Sequence, residues 1–245
     1  MKPAAFLFDL DGTLIDSEVV WAQAIVDWLA DRGQTTTREA MLPVLFGRSW
    51  LDVNAKIHAD FPALEPSTPS KDAETLRPYH DRLVADPASQ AIPGAVAFFK
   101  QVSRLAPCVI VSGSPHVDVE AAAKACGIAG QLKFVLGAED YGRGKPAPDG
   151  FLKAASMLDV DASECVVVED STAGVAAARA AGMHIIGVDR LPSCPQDLSG
   201  CDWLVHDLSE LDVKVIFGEE VGLKDQATLQ ARTWLGRLWK RMRKK

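Results

Sequence analysis

Five runs of almost uninterrupted apolar residues recur along this chain, at 5–8, 108–111, 134–136, 165–168 and 185–188. From residue 93 onward they alternate with stretches of helical periodicity at 95–105, 117–126, 151–158 and 173–181. A run that is apolar at every position reads as a strand buried on both faces. Strands separated by helices pair in parallel beneath helical layers. A last short strand is expected at 203–205, and the run at 5–8 belongs to the same sheet. Residues 16–88 break the alternation. There Val20, Ile25, Trp28 and Leu29 can share one face of a helix over 17–32 that Gly33 would end, and 42–46, 51–57 and 72–84 read as further helical pieces. Residues 61–70 hold Pro62, Pro66 and Pro69 and read as a loop. A helical block is therefore inserted after the first strand.

The 245 residues suffice for one large domain or two modest ones, and 48% hydrophobic with 24% charged residues is ordinary for a soluble globular chain. The five cysteines (Cys108, Cys126, Cys165, Cys194, Cys201) are scattered and form no C-x-x-C pair, which supports neither a disulfide framework nor a zinc site. That usage suits a reducing, cytoplasmic location. No run approaches the roughly 18 apolar residues of a membrane span, and the apolar start is too short for a signal segment. From residue 227 to the end there are seven Lys or Arg and no acid, so the preceding residues carry −14, the chain's −7 less the tail's +7. An acidic body argues against nucleic acid as a partner. An anionic small molecule would then be drawn in by local cations or a metal. A monomer is expected.

In an open parallel sheet, ligands bind beyond the carboxyl ends of the strands. The polar residues that fall there are Asp9 and Asp11 with Gly12 and Thr13, then Ser112, Gly113 and Ser114, then Lys145 beside Gly144, and Glu169 with Asp170. Several carboxylates at one edge repel each other unless a cation sits between them. Hard oxygen ligands of this kind suit Mg2+, which also takes a substrate phosphate oxygen. Asp9 and Asp170 are the expected side-chain ligands, Asp11 contributes its backbone carbonyl, and Glu169 binds directly or backs the others. Ser112 and the N–H groups near Gly113 would cradle phosphate oxygens. Lys145 would place a point charge against the phosphate and the attacking carboxylate. In this scheme Asp9 attacks phosphorus to form an aspartyl-phosphate. Asp11 protonates the leaving oxygen and then deprotonates the hydrolytic water.

Phe8-Asp9-Leu10-Asp11-Gly12-Thr13-Leu14 resembles the first motif of the haloacid dehalogenase-like hydrolase superfamily. Val111-Ser112-Gly113-Ser114 is similar to its second motif and Gly144-Lys145-Pro146-x-Pro148-Asp149 to its third. Val168-Glu169-Asp170-Ser171-x-x-Gly174, running on to Ala180-Ala181-Gly182-Met183, resembles the fourth. Four motifs in order make a specific signal where one would not. The resemblance implies an α/β fold: a Rossmann-like doubly wound parallel sheet core (1–15 and 89–215) with an inserted α-helical cap domain (16–88), followed by a basic helical tail (216–245). It also implies Mg2+. The second aspartate, which dehalogenases lack, points to a phosphatase for a small phosphorylated metabolite, a sugar or sugar-acid phosphate.

Within the family, the β-phosphoglucomutases are the rival. They carry histidine at the position of Trp21, arginine at the position of Trp50 and usually valine at that of Thr13; Arg48 stands close enough to replace the arginine in part. Outside the enzymes, a receiver-like phospho-signalling module also pairs acidic groups with a lysine on such a sheet, but the inserted helices and Asp11 disfavour it. Gly47, Arg48 and Ser49 match the cap loop that faces the site in relatives, which implies a substrate contact for Arg48. Trp21 and Trp50 line the pocket or pack the cap core. His116 is expected at the surface at a helix start. In the tail, Leu229, Trp234, Leu235, Leu238 and Trp239 share an apolar face beside basic residues. A basic helix on the acidic body is favoured there over a helix at a membrane surface.

Overall fold

The computed structural model describes residues 2–48, 50–84, 90–190 and 194–218. Six strands form one sheet: β1 Ala5–Phe8, β2 Cys108–Val111, β3 Leu132–Leu136, β4 Cys165–Glu169, β5 His184–Val188 and β6 Trp203–Val205. The order is β3-β2-β1-β4-β5-β6 and every pairing is parallel. The chain thus winds outward from β1 in one direction and from β4 in the other, so the switch point lies between the two central strands.

Side chains alternate across these strands, and both sets are apolar. On one face Phe6, Phe8, Ile110, Val166 and Val168 meet Phe98, Phe99 and Val102 of α5 (Pro93–Val102) and Val119 and Ala123 of α6 (His116–Ala125). On the other, Leu7, Val109, Val111 and Val167 meet Phe151, Ala154 and Ala155 of α7 (Asp149–Leu158) and Val175, Ala177 and Ala178 of α8 (Thr172–Ala180). A short closing helix, α9 (Val213–Ile216), adds Ile216 to the first face, and Phe217 packs 6.1 Å from Phe6. The core therefore continues two residues past the expected boundary at 215. The rest of the tail, including Trp234 and Trp239, lies outside the described residues, as does Ser49.

The β1–β2 connection carries α1 (Ser17–Ala30), α2 (Arg38–Leu45), α3 (Trp50–Asp60) and α4 (Pro69–Leu83). They enclose an apolar cluster of their own, with Ala22, Ile25, Trp28, Leu29, Met41, Val53, Ile57 and Leu76 buried. Two helices begin earlier than periodicity alone places them, because their caps lie outside the periodic run. Thr37 accepts from Ala40 N ahead of α2, and Thr68 accepts from Lys71 N ahead of α4. Pro69, counted with the loop, is the first residue of α4, where its missing N–H costs nothing. Trp21 lies flat on His80 at 3.9 Å, and Trp50 Nε1 donates to the Pro69 carbonyl at 2.8 Å. Both indoles thus border the cap cluster. Arg77 of α4 reaches Asp118 of α6 with two hydrogen bonds, 2.7 and 2.9 Å, joining the helical block to the core.

Phe98 is buried edge-on against Phe6 and Phe8, at 6.4 and 6.3 Å between ring centroids. Phe98→Ala is expected to lower stability by about 3–5 kcal/mol in urea unfolding followed by circular dichroism. A loss under about 1 kcal/mol would contradict the packing described.

Candidate active site

The site forms because β1 and β4 are neighbours in register: Phe8 pairs with Val168, and the Asp9 N–H continues the ladder to Val168 O at 3.0 Å. The two chains then part, and Asp9 and Asp170 leave the sheet at the same edge. Asp9, Glu169 and Asp170 are buried, and one oxygen from each lies within 4.8 Å of the other two. Lys145, from the loop ahead of α7, bonds Asp9 Oδ1 and, at 2.6 Å, Glu169 Oε1. The other oxygen of Glu169 accepts from Asp170 N (3.0 Å), Ser171 N (2.9 Å) and Ser171 Oγ (2.9 Å). Glu169 is thereby anchored behind the cluster.

Asp11 is close by, but its carboxylate is outside this trio. Oδ2 accepts from Ser114 Oγ at 2.7 Å and Ser112 Oγ at 3.2 Å, and Oδ1 accepts from Ser17 Oγ at 2.6 Å. Ser112 also takes the Ser114 N–H at 3.0 Å. Gly113, the next residue, faces open space. Thr13 Oγ1 donates to Asp170 Oδ1 at 3.3 Å. Of the residues expected at the site, the structure thus brings Asp9, Asp11, Ser112, Lys145, Glu169 and Asp170 together. Arg48 is exposed and lines a cavity of about 300 Å³ with Phe46, Thr172, Cys194 and Gln196.

Two glycines make room for the carboxylates. A Cβ on Gly12, whose φ is +83°, would stand 2.0 Å from Asp170 Oδ2, and one on Gly174 would stand 1.7 Å from Glu169 Oε1. Both positions need glycine for space, and Gly12 needs it for its backbone as well.

Burial dominates the electrostatics. Desolvation pushes the Asp9 carboxyl up to about 7, against the pull of Lys145 and with the push of Glu169 and Asp11. Asp170 is raised by burial, then by Glu18, Glu169 and Asp9. Burial works against the Lys145 ammonium, yet Asp9 and Glu169 outweigh it and raise its pKa. Glu18 was not singled out by any motif. It is 9% exposed in the first turn of α1, its Oε2 has no hydrogen-bond partner among the described residues, and burial followed by Asp11 raises its pKa. An acid early in a helix is ordinary capping chemistry in sequence, so nothing in the sequence marked it as part of the site. Ser17 escaped notice for the same reason. His116 sits at the start of α6, as expected, with Nδ1 2.5 Å from Asp140 Oδ2.

The buried carboxylates offer hard oxygen donors with incomplete charge compensation, which fits a divalent cation held by Asp9 and Asp170 with Glu169 behind.

Residues 3–182 match the haloacid dehalogenase-like hydrolase family. Hexitol phosphatase A of Escherichia coli (strain K12) is 32% identical over 219 residues, 87% of this chain and 95% of that one. Validoxylamine A 7'-phosphate phosphatase of Streptomyces hygroscopicus subsp. limoneus is 30% identical over 84% of this chain and 94% of its own. The crystal structure of β-phosphoglucomutase from Clostridium difficile matches with a TM-score of 0.73 over 87% of this chain and 95% of that chain, a likeness of fold at 23% identity.

The raised carboxyls carry a sign. Asp9 moves from 3.8 to about 7 on burial, so the stability linked to its protonated form is present below its ordinary range and is lost as pH climbs through about 7. A divalent cation favours the ionised form and reverses the trend. In EDTA the melting temperature is expected to fall between about pH 5 and about pH 8, with Mg2+ giving its largest gain at the higher pH. An equal gain at both would contradict this.

Proposed function

This chain belongs to the haloacid dehalogenase-like hydrolases and is a phosphoric monoester hydrolase, and on that premise we propose that it is a Mg2+-dependent phosphatase for a sugar or sugar-alcohol phosphate, working through an aspartyl-phosphate on Asp9. The observation that carries the proposal is the junction of Asp9 with Lys145 and Asp170, while the Asp11 carboxylate stands outside that acidic trio and is held by serine hydroxyls. Relatives named for a hexitol phosphate and for validoxylamine A 7'-phosphate support a polyhydroxylated leaving group.

Bound Mg2+ would supply charge neutralisation for the phosphoryl oxygens. Asp9 and Asp170 would hold it, with the Asp11 backbone carbonyl. Lys145 engages Oδ1 of Asp9, which would leave Oδ2 to meet phosphorus. As the Asp9 O–P bond forms, the P–O bond of the ester breaks, and Asp11 passes its proton to the departing oxygen. Water then attacks the phosphorus of the aspartyl-phosphate, Asp11 takes a proton from it, and Asp9 is regenerated with release of inorganic phosphate. The hydroxyls of Ser17, Ser112 and Ser114 suit both states of Asp11, since a hydroxyl donates to a carboxylate and can turn to accept from a carboxyl. Ser112 and the Gly113 N–H would meet phosphate oxygens once substrate is bound. We assign 16–88 to a cap that closes over substrate about hinges near Asp16–Ser17 and Asp86–Pro93, of which Asp86 lies outside the described residues, and Arg48 to the cap surface that substrate reaches.

Asp9→Asn is expected to abolish turnover of a metabolite phosphate panel in Mg2+ while leaving the far-UV spectrum unchanged. Activity above about one hundredth of wild type would contradict covalent catalysis by Asp9. Conversion of β-glucose 1-phosphate to glucose 6-phosphate without free phosphate, given a bisphosphate primer, would replace the phosphatase reading with a mutase.

A further inference from the structure

Arg190 stands just past β5 at the site edge of the sheet, and nothing in the chemistry above uses it. Its guanidinium, 20% exposed, donates from Nη2 to Asp16 Oδ2 at 3.2 Å and from Nη1 to the Gly12 carbonyl at 3.4 Å. Both acceptors lie in the turn that leads from Asp11 into α1. Asp16 occupies the N-cap position of α1, where an aspartate ordinarily accepts from an N–H two or three residues on. Here it makes no cap bond, and its carboxylate meets Arg190 instead. The Asp16 N–H is bonded to Gln90 O at 2.8 Å, in the connection by which the helical block returns to the core. The next residue, Ser17, gives its hydroxyl to Asp11 Oδ1 at 2.6 Å. One forked cation at the end of β5 therefore fixes, one residue removed, a donor that orients Asp11. A half-buried ion pair adds little stability, so its value here lies in orientation. A guanidinium serves two separate acceptors better than an ammonium does.

We propose that Arg190 is a positioning residue for the acid–base step: it holds the turn at residues 12–16 so that Ser17 keeps Asp11 aimed at the leaving oxygen. This rests on the reading of Asp11 as the proton donor. The discriminating quantity is leaving-group dependence. A hexitol 6-phosphate releases an alkoxide that needs the Asp11 proton, whereas p-nitrophenyl phosphate releases an anion that does not. Comparing kcat/KM for the two esters isolates cleavage of the P–O bond.

Asp11→Asn is the reference and should slow the alkyl ester far more than the aryl ester. Arg190→Met should show the same pattern, with a loss of about tenfold or more on the alkyl ester and under about threefold on the aryl ester. Arg190→Lys should fall between Arg190→Met and wild type. Asp16→Asn should reproduce the pattern, and combining it with Arg190→Met should add nothing, because both break one link. If Arg190→Met fails to fold by circular dichroism, Asp16→Asn decides alone. Equal losses on both esters, no loss on either, or multiplying losses in the double variant would overturn the proposal. If Asp11→Asn itself does not discriminate the esters, the reading of Asp11 fails first; if it does and neither Arg190→Met nor Asp16→Asn follows, the inference alone fails.

Discussion

The junction of Lys145 with Asp9 and Glu169 governs the rest of the molecule. Three buried carboxylates lie within 4.8 Å of one another at the ends of β1 and β4. At that separation each ionised pair repels by about 3 kcal/mol in an effective dielectric of about 20, before any cost of desolvation. One ammonium bonded to two of them offsets part of this. Burial above all, with this repulsion added, drives Asp9 and Asp170 up their titration range. Such a cluster survives folding only on a rigid support, and the support is the apolar sheet beneath it, buried on both faces.

Rigidity at the sheet edge requires the backbone to come close to the charges. The carboxylate of Asp170 occupies the space a Gly12 side chain would fill, and Glu169 does the same at Gly174. The first and fourth motifs are thus one packing unit: the glycine of one loop receives the acid of the other, and Thr13 bonds Asp170 back across the gap. This is why residues more than 150 positions apart in sequence behave as a single element.

Much of this was legible in the sequence. The buried strands announce themselves as unbroken apolar runs, so β2 and β6 coincide with the residues read as strands. The acids, hydroxyls and lysine that follow those runs had to share an edge once the strands were parallel. Helix starts were less visible, because Thr37 and Thr68 act through side-chain bonds that periodicity does not register. Glu18, Ser17 and Arg190 were invisible for a related reason. Each is an ordinary residue type in an ordinary place, and only the path of the chain in space turns it toward Asp11. Arg48, whose motif neighbourhood points to the site, lines a cavity shared with Thr172, two residues past Asp170.

The placement of Asp11 joins the chemistry to the helical block. Two of its hydroxyl partners, Ser112 and Ser114, follow β2 and are fixed to the sheet, whereas the third, Ser17, is the first residue of α1. A carboxyl held from both sides keeps its aim only while the helical block and the sheet keep their relative position. If the block closes over substrate as proposed, the Ser17–Asp11 bond ties that motion to the proton-transfer group, and closure would also exclude bulk water from the aspartyl-phosphate. The same coupling bears on what accepts the phosphoryl group. Trp21, at the position where the resemblance implies a histidine in the mutases, is stacked on His80, which accords with water as the acceptor in the phosphatase proposed above.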